Sequence, residues 1–190
     1  MKRIAIFASG SGSNAENIVH YFNNSAQIKV VLIFTNNVNA KVIERAKNLS
    51  VSYQIFNKYE LNESEAFLAF LVNEVDYIVL AGFLWLIPKR IIEKFPQKII
   101  NIHPALLPKY GGKGMFGMNI HKAVFNNNEK ESGITIHFVN ENYDEGDIIF
   151  QEKVLIDLND TPDSIADKIH QLEYNYFPKV IETVILKNEF

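Results

Sequence analysis

The 190-residue chain has no cysteine, which excludes disulfides, thiolate nucleophiles and the common structural zinc sites. It also has no marked excess of either charge. Nineteen Lys and Arg against 22 Asp and Glu leave a formal net charge of -3. Domains that hold nucleic acid are usually strongly basic, so no nucleic-acid partner is expected. Any anion site must then be local and geometric rather than a broad field. No apolar run approaches the ~20 residues that cross a bilayer, so no membrane partner is expected. The first strand-like stretch begins at Arg3, which leaves no room for a secretory signal, and a cytoplasmic location follows by default.

What remains is a globular composition, 47% hydrophobic and 22% charged. The length suits one domain, 1–190, able to bury roughly 70% of its unfolded surface. Residues 3–9 (RIAIFAS), 28–35 (IKVVLIFT) and 76–81 (DYIVLA) are short apolar runs, as expected of strands covered on both faces. Weaker strand signals fall at 52–56 and 98–102. Helical spacing appears after the first run (Ala15, Ile18, Val19, Phe22), over 40–49, and over 61–74, where Phe67, Leu68, Leu71 and Val72 form a stripe. Strands alternating with helices predict an α/β fold with an open, mostly parallel sheet and helices on both faces. Residues 132–139 and 148–156 read as two strands joined by a polar turn, hence antiparallel. A helix starting at Thr161-Pro162 closes the domain.

Gly10-Ser11-Gly12-Ser13-Asn14 lies between the first strand and the first helix, where backbone N–H groups and the helix dipole make an anion site. Gly10, Gly12 and Ala15 satisfy the loose dinucleotide pattern, which also needs an acidic residue after the second strand. Thr35-Asn36-Asn37 stands there instead. A phosphate monoester therefore fits better than a dinucleotide. The alternative is a plain turn, with Ser13 and Glu16 as a capping box.

Asn101-Ile102-His103-Pro104 falls at the carboxyl end of a strand, the side on which open α/β sheets gather ligands. Asn101 and His103 are two apart, so both point one way while Ile102 faces the core. An amide and an imidazole side by side can both donate to an oxygen that gains negative charge. The turn 140–147 (NENYDEGD) is richer in carboxylates than a turn requires. A carboxylate from it beside His103 would keep the imidazole cationic. The other histidines read more plainly: His137 as packed beside a sheet, His20 and His121 on helices. His170 and Glu173 share a helical face opposite Ile165, Ile169 and Leu172, which reads as a solvated face when taken alone.

SGSGSN, AGFLWLIP, NIHPALLPKYGG and DEGDIIFQ together resemble the folate-dependent phosphoribosylglycinamide formyltransferases, within the formyltransferase superfamily. The resemblance runs from the first strand to the helix of Glu173, and it implies a Rossmann-like formyltransferase fold. It also implies formyl transfer from 10-formyltetrahydrofolate, as co-substrate, to glycinamide ribonucleotide, in a monomer or homodimer that needs no metal. Asn101, His103 and Asp144 match the catalytic trio. Gly12, Ser13 and Asn14 would hold the nucleotide phosphate, flanked by His170, Gln171, Leu172 and Glu173, with Glu173 accepting from the amine. Leu84, Trp85, Leu86 and Ile87 would wall the folate pocket, with Asn101 beside them. Asn140, Glu141, Asn142, Tyr143 and Asp144 would close over the pteridine.

The chain departs from this pattern in two places. Asn62-Glu63-Ser64 stands where relatives carry a basic residue, and Trp85 stands where an arginine is common. The glycine-rich segment 111–117 reads equally as a lid or as a surface loop. Competing readings are another formyltetrahydrofolate-using enzyme of the superfamily, such as a hydrolase or a tRNA formyltransferase, each expected to carry a further domain. A non-catalytic nucleotide-binding module is a third reading, but it gives no reason for Asn101, His103 and Asp144 to occur together.

Overall fold

The computed structural model describes residues 1–187. Its sheet is built from β1 (Lys2–Phe7), β2 (Ile28–Thr35), β3 (Ser52–Ile55), β4 (Tyr77–Leu80), β5 (Ile99–His103), β6 (Glu131–Phe138) and β7 (Ile148–Leu155). The strands run in the order β3-β2-β1-β4-β5-β6-β7. The first five are parallel, and β6 and β7 are antiparallel to their neighbours. The chain winds outward from β1 through β2 to β3, then returns to place β4 on the other side of β1. That reversal opens a crevice at the carboxyl ends of β1 and β4, the usual ligand position in such sheets.

Alternation along the strands divides the interior into two cores. Ile4, Ile6, Val79, Ile100 and Ile102 face α1 (Ser13–Phe22), α2 (Val42–Asn48), α6 (Met118–Asn126) and α7 (Pro162–Lys187). Ala5, Phe7, Phe34, Ile78, Leu80 and Ile99 face α3 (Lys58–Asn62), α4 (Glu65–Glu74) and α5 (Lys89–Ile92). Strands buried on both faces have no polar side to alternate with, which is why they read as continuous apolar runs. The second core is aromatic. Phe34 lies 4.8 Å from Phe7 and 5.3 Å from Phe67, centroid to centroid. Among the described residues no helix is long and apolar enough to cross a membrane.

The structure corrects two local expectations. The single helix over 61–74 is two, because Asn57 forms a capping box with Glu60 and Ser64 caps a fresh start by accepting from the Phe67 amide. These side chains satisfy helix-end amides that a continuous helix would have used internally. Glu173 does not sit on a solvated face: it is 6% exposed. Ile165, Ile169, Glu173 and Phe177 recur every fourth residue, so Glu173 shares the stripe that the apolar residues bury.

Phe34 is fully buried among rings. Phe34→Ala is expected to cost about 3–5 kcal/mol of folding stability, read as a lower urea midpoint at unchanged slope. A loss well under that range would mean that the aromatic core collapses around the gap.

Candidate active site

A cavity of about 520 Å³ opens where the strand order reverses. Three segments that leave the sheet at the same end line it: Gly10 to Asn14 after β1, Ala81 to Leu84 after β4, and Asn101 to Pro104 at the end of β5. The segment from Gly112 to Gly117 rims it from the side. That segment is therefore part of the cavity wall, not an unrelated surface loop.

At one end of the cavity, β5 presents Asn101 and His103 two residues apart. The turn between β6 and β7 brings Asp144 to both. His103 Nδ1 lies 3.4 Å from Asp144 Oδ2, and Asn101 Nδ2 lies 3.5 Å from Asp144 Oδ1. His103 Nε2 is 2.8 Å from the Tyr110 carbonyl oxygen. Both ring nitrogens thus face acceptors, and only the imidazolium donates to both. The Gly112 amide donates to Asp144 Oδ2 at 3.0 Å. Burial by itself would raise the Asp144 pKa. Hydrogen bonding and charge from His103, with His137 and the Gly112 amide, outweigh it and hold the carboxyl well below the usual range. Gly146 lets the turn pack this closely, because a Cβ there would run into the Phe138 carbonyl.

His137 belongs to this cluster, although the sequence alone suggested only a packed strand residue. It lies opposite Asn101 in the β5–β6 register. Its Nδ1 is 2.8 Å from the Phe138 carbonyl, an acceptor, which leaves Nε2 to accept from Asn101 Nδ2 at 3.0 Å. That bond fixes which way the Asn101 amide points. At 3.7 Å from Asp144 Oδ1, His137 is too far for a good hydrogen bond. Thr135, opposite His103, accepts from the Leu107 amide at 2.9 Å and donates to the Ala105 carbonyl at 2.7 Å. These bonds anchor the chain as it leaves β5.

The other end of the cavity is built by α1, α6 and α7. Gly12 adopts φ 73° at the N-cap of α1, and a Cβ there would strike Val42, so only glycine fits. The capping box of Ser13 and Glu16 does not form, since no side chain caps this helix. Instead the Arg45 guanidinium pairs with Glu16 and also donates to the Ser11 carbonyl at 2.9 Å. The acidic side chain that would compete with an anion is thereby held by a cation, and the first amides of α1 stay available. Asn14 Nδ2 donates to Glu173 Oε2 at 2.9 Å. Burial pushes the Glu173 pKa up, against the Asn14 hydrogen bond and the charges of His170 and His103. His121 on α6 is 2% exposed, and burial, with some help from His170, pushes its pKa down to about 4.

A formyl transferase family model matches residues 2–181. The chain belongs to the formyl transferase family. It is similar to the chloroplastic phosphoribosylglycinamide formyltransferase of Arabidopsis thaliana, with 38% identity over 96% of this chain and 65% of that protein. The phosphoribosylglycinamide formyltransferase of Bacillus subtilis is 36% identical over 97% of this chain and 95% of its own length. The crystal structure of phosphoribosylglycinamide formyltransferase from Bacillus halodurans superposes with a TM-score of 0.84 at 34% identity, covering 99% of this chain and 97% of that one. The chain spans just under two thirds of the length of the plant relatives, 65% and 61%.

Not every residue that the formyl transferase resemblance pointed to reaches the cavity. Gly12, Ser13, Asn14, Leu84, Asn101, His103, Tyr143, Asp144, His170 and Glu173 line it. Ile87 is buried in the second core, and Trp85 packs against the same core beside Phe56. Leu86, Gln171 and Leu172 also lie outside the lining. Gln171 is exposed, and Leu172 packs against the first core. Glu141 pairs with Lys89 at 3.1 Å. Asn140 and Asn142 brace the turn, Asn140 accepting from the Asn142 amide and Asn142 donating to Glu145. Where a basic residue was missing near Ser64, Arg90 reaches across from α5 to the Asn62 and Ser64 carbonyls at 3.0 and 2.7 Å.

A histidine that titrates lower when folded than its ordinary ~6.5 takes up its proton first in the unfolded chain. The stability contributed by neutral His121 is complete above about 6.5 and lost as pH falls toward about 4. His121→Asn should therefore flatten the fall in unfolding free energy across that window, measured by urea titration at successive pH values. Parallel curves for the two proteins would show that His121 is not the group that resists protonation.

Proposed function

We propose that the protein transfers the formyl group of 10-formyltetrahydrofolate to the amine of N1-(5-phospho-D-ribosyl)glycinamide. The products are the N-formyl ribonucleotide and tetrahydrofolate, a step of de novo purine synthesis. The observation that carries this reading is the convergence of Asn101, His103 and Asp144. It occurs at one end of a cavity whose other end joins an uncapped helix start to a buried carboxylate.

The ribonucleotide amine attacks the formyl carbon, and the former carbonyl oxygen becomes an oxyanion. His103 and Asn101 are the groups that meet it. The long Asn101 contact to Asp144, 3.5 Å, is exchanged for the oxyanion as charge develops, while the imidazolium stays 3.4 Å from Asp144 and stabilises the oxyanion by its charge. Asp144 holds the imidazolium and orders the water that relays a proton from the attacking nitrogen to N10 of the folate. The C–N10 bond then breaks, a new C–N bond remains, and one proton has moved between nitrogens. Glu173, engaged by Asn14 at the ribonucleotide end of the cavity, accepts hydrogen bonds from that substrate. The phosphate sits against the first amides of α1 at Gly12, Ser13 and Asn14. The formyl donor lies along Leu84, under Tyr143 and Asp144.

His103→Ala and Asp144→Asn are each expected to lower kcat/KM by about a hundredfold or more, the usual loss when an oxyanion partner is removed. The assay mixes glycinamide ribonucleotide with 10-formyltetrahydrofolate and follows the deformylated folate by absorbance, with circular dichroism to confirm folding. Near-normal turnover in both folded variants would remove these residues from the mechanism.

A further inference from the structure

Five buried side-chain atoms have no hydrogen-bond partner among the described residues: Asn14 Oδ1, Asn36 Oδ1, Arg90 Nε, His121 Nδ1 and Ser132 Oγ. Only Asn14 and His121 line the cavity. Both belong to its α1–α6–α7 end, where Asn14 is bonded to Glu173 and the His170 charge acts on the His121 ring. The opposite end leaves none: Asn101, His103 and Asp144 all find partners. Buried polar atoms in native proteins are nearly always paired, because stripping water from a donor or acceptor without replacement is unfavourable. Two such atoms together, both in the wall of a cavity, mark a place that a ligand completes.

We infer that His121 is a ribonucleotide-binding residue, its imidazole hydrogen-bonding to the phosphate end of the substrate beside Gly12, Ser13 and Asn14. This rests on the formyl-transfer reading above and adds to it a residue that the matched motifs do not contain. The phosphate is the fitting partner for three reasons. His121 lies in the first turns of α6, so two helix starts, α1 and α6, meet the same end of the cavity. Gly117, the N-cap of α6, lines the cavity too, and no side chain caps that helix. The one carboxylate there, Glu173, is already engaged by Asn14, and an imidazole N–H donates to a phosphate oxygen without having to be charged. His121 binds substrate and takes no part in moving the formyl group.

The experiment compares wild type with His121→Phe, which keeps a planar ring but no nitrogen, and His121→Asn, whose amide nitrogen falls near Nδ1. For His121→Phe the KM for glycinamide ribonucleotide should rise by about tenfold or more, the value of a hydrogen bond to a charged group. The kcat and the KM for 10-formyltetrahydrofolate should move far less, and His121→Asn should recover part of the loss. Inorganic phosphate should protect wild type against the ribonucleotide competitively and protect His121→Phe less. An unchanged ribonucleotide KM in folded His121→Phe would overturn the inference while leaving formyl transfer standing. Wild-type protein that turns over no ribonucleotide would overturn the functional reading instead. If both variants unfold, the ¹⁵N-histidine spectrum of wild type decides: one buried neutral imidazole must shift on adding the ribonucleotide, and none shifting overturns the inference.

Discussion

The Asp144 carboxylate is the group around which the site is arranged. It is largely buried, in surroundings that would by themselves favour the neutral acid, yet His103 and the Gly112 amide, with Asn101 beside them, keep it ionised. An anion in that position needs a cation or several donors within reach, or the protein would lose stability by burying it. The donors come from different parts of the fold. β5 supplies His103 and Asn101, the segment before α6 supplies Gly112, and His137 on β6 acts only through the Asn101 amide that it orients. Asp144 itself sits at φ 57°, a left-handed conformation that Asp tolerates better than most residues but that still costs energy. β6 runs antiparallel to β5 and ends beside Ile100, so the turn that follows has to fold back along β5 to bring Asp144 to Asn101 and His103.

Much of this was legible before the structure. Buried parallel strands announce themselves as unbroken apolar runs, and residues 28–35 appear in the fold with the same bounds. The two-residue spacing of Asn101 and His103 at a strand end needed only the pleat of a β-strand. His137 was not legible in the same way. Its place opposite Asn101 depends on the register of β6 against β5, and the pairing with β7 shifts between Ile136 and His137. Neither is recorded in the alternation of a single strand. Pairing N-x-H in one strand with T-x-H in the next would have been the available clue.

Glu173 was misplaced for a different reason. The fourfold spacing Ile165, Ile169, Glu173, Phe177 was present in the sequence, and a helix obeys that spacing whatever residues occupy it. Charge argued for solvent and geometry argued for the interior. Geometry won because Asn14 from a remote helix meets the carboxylate. A glutamate placed on a buried helical stripe, with no nearby lysine or arginine on its own helix face to pair with it, is therefore itself a functional signal.

The two ends of the cavity differ in how complete they are. At the Asn101, His103 and Asp144 end the polar side chains already hold one another, so dipoles and charge are oriented before any reactant arrives, and little reorganisation remains for the reaction to drive. At the Asn14, His121 and Glu173 end, two buried polar atoms lack partners and burial pushes the pKa of a carboxylate up. Ligand contacts made there relieve a deficit of the empty protein. In the proposed reaction, that is where binding energy from a part of the substrate that does not react would be obtained, and such energy would hold the amine against the reacting carbon. On that proposal the crevice separates gripping from chemistry, the first end completed by the substrate and the second by the protein.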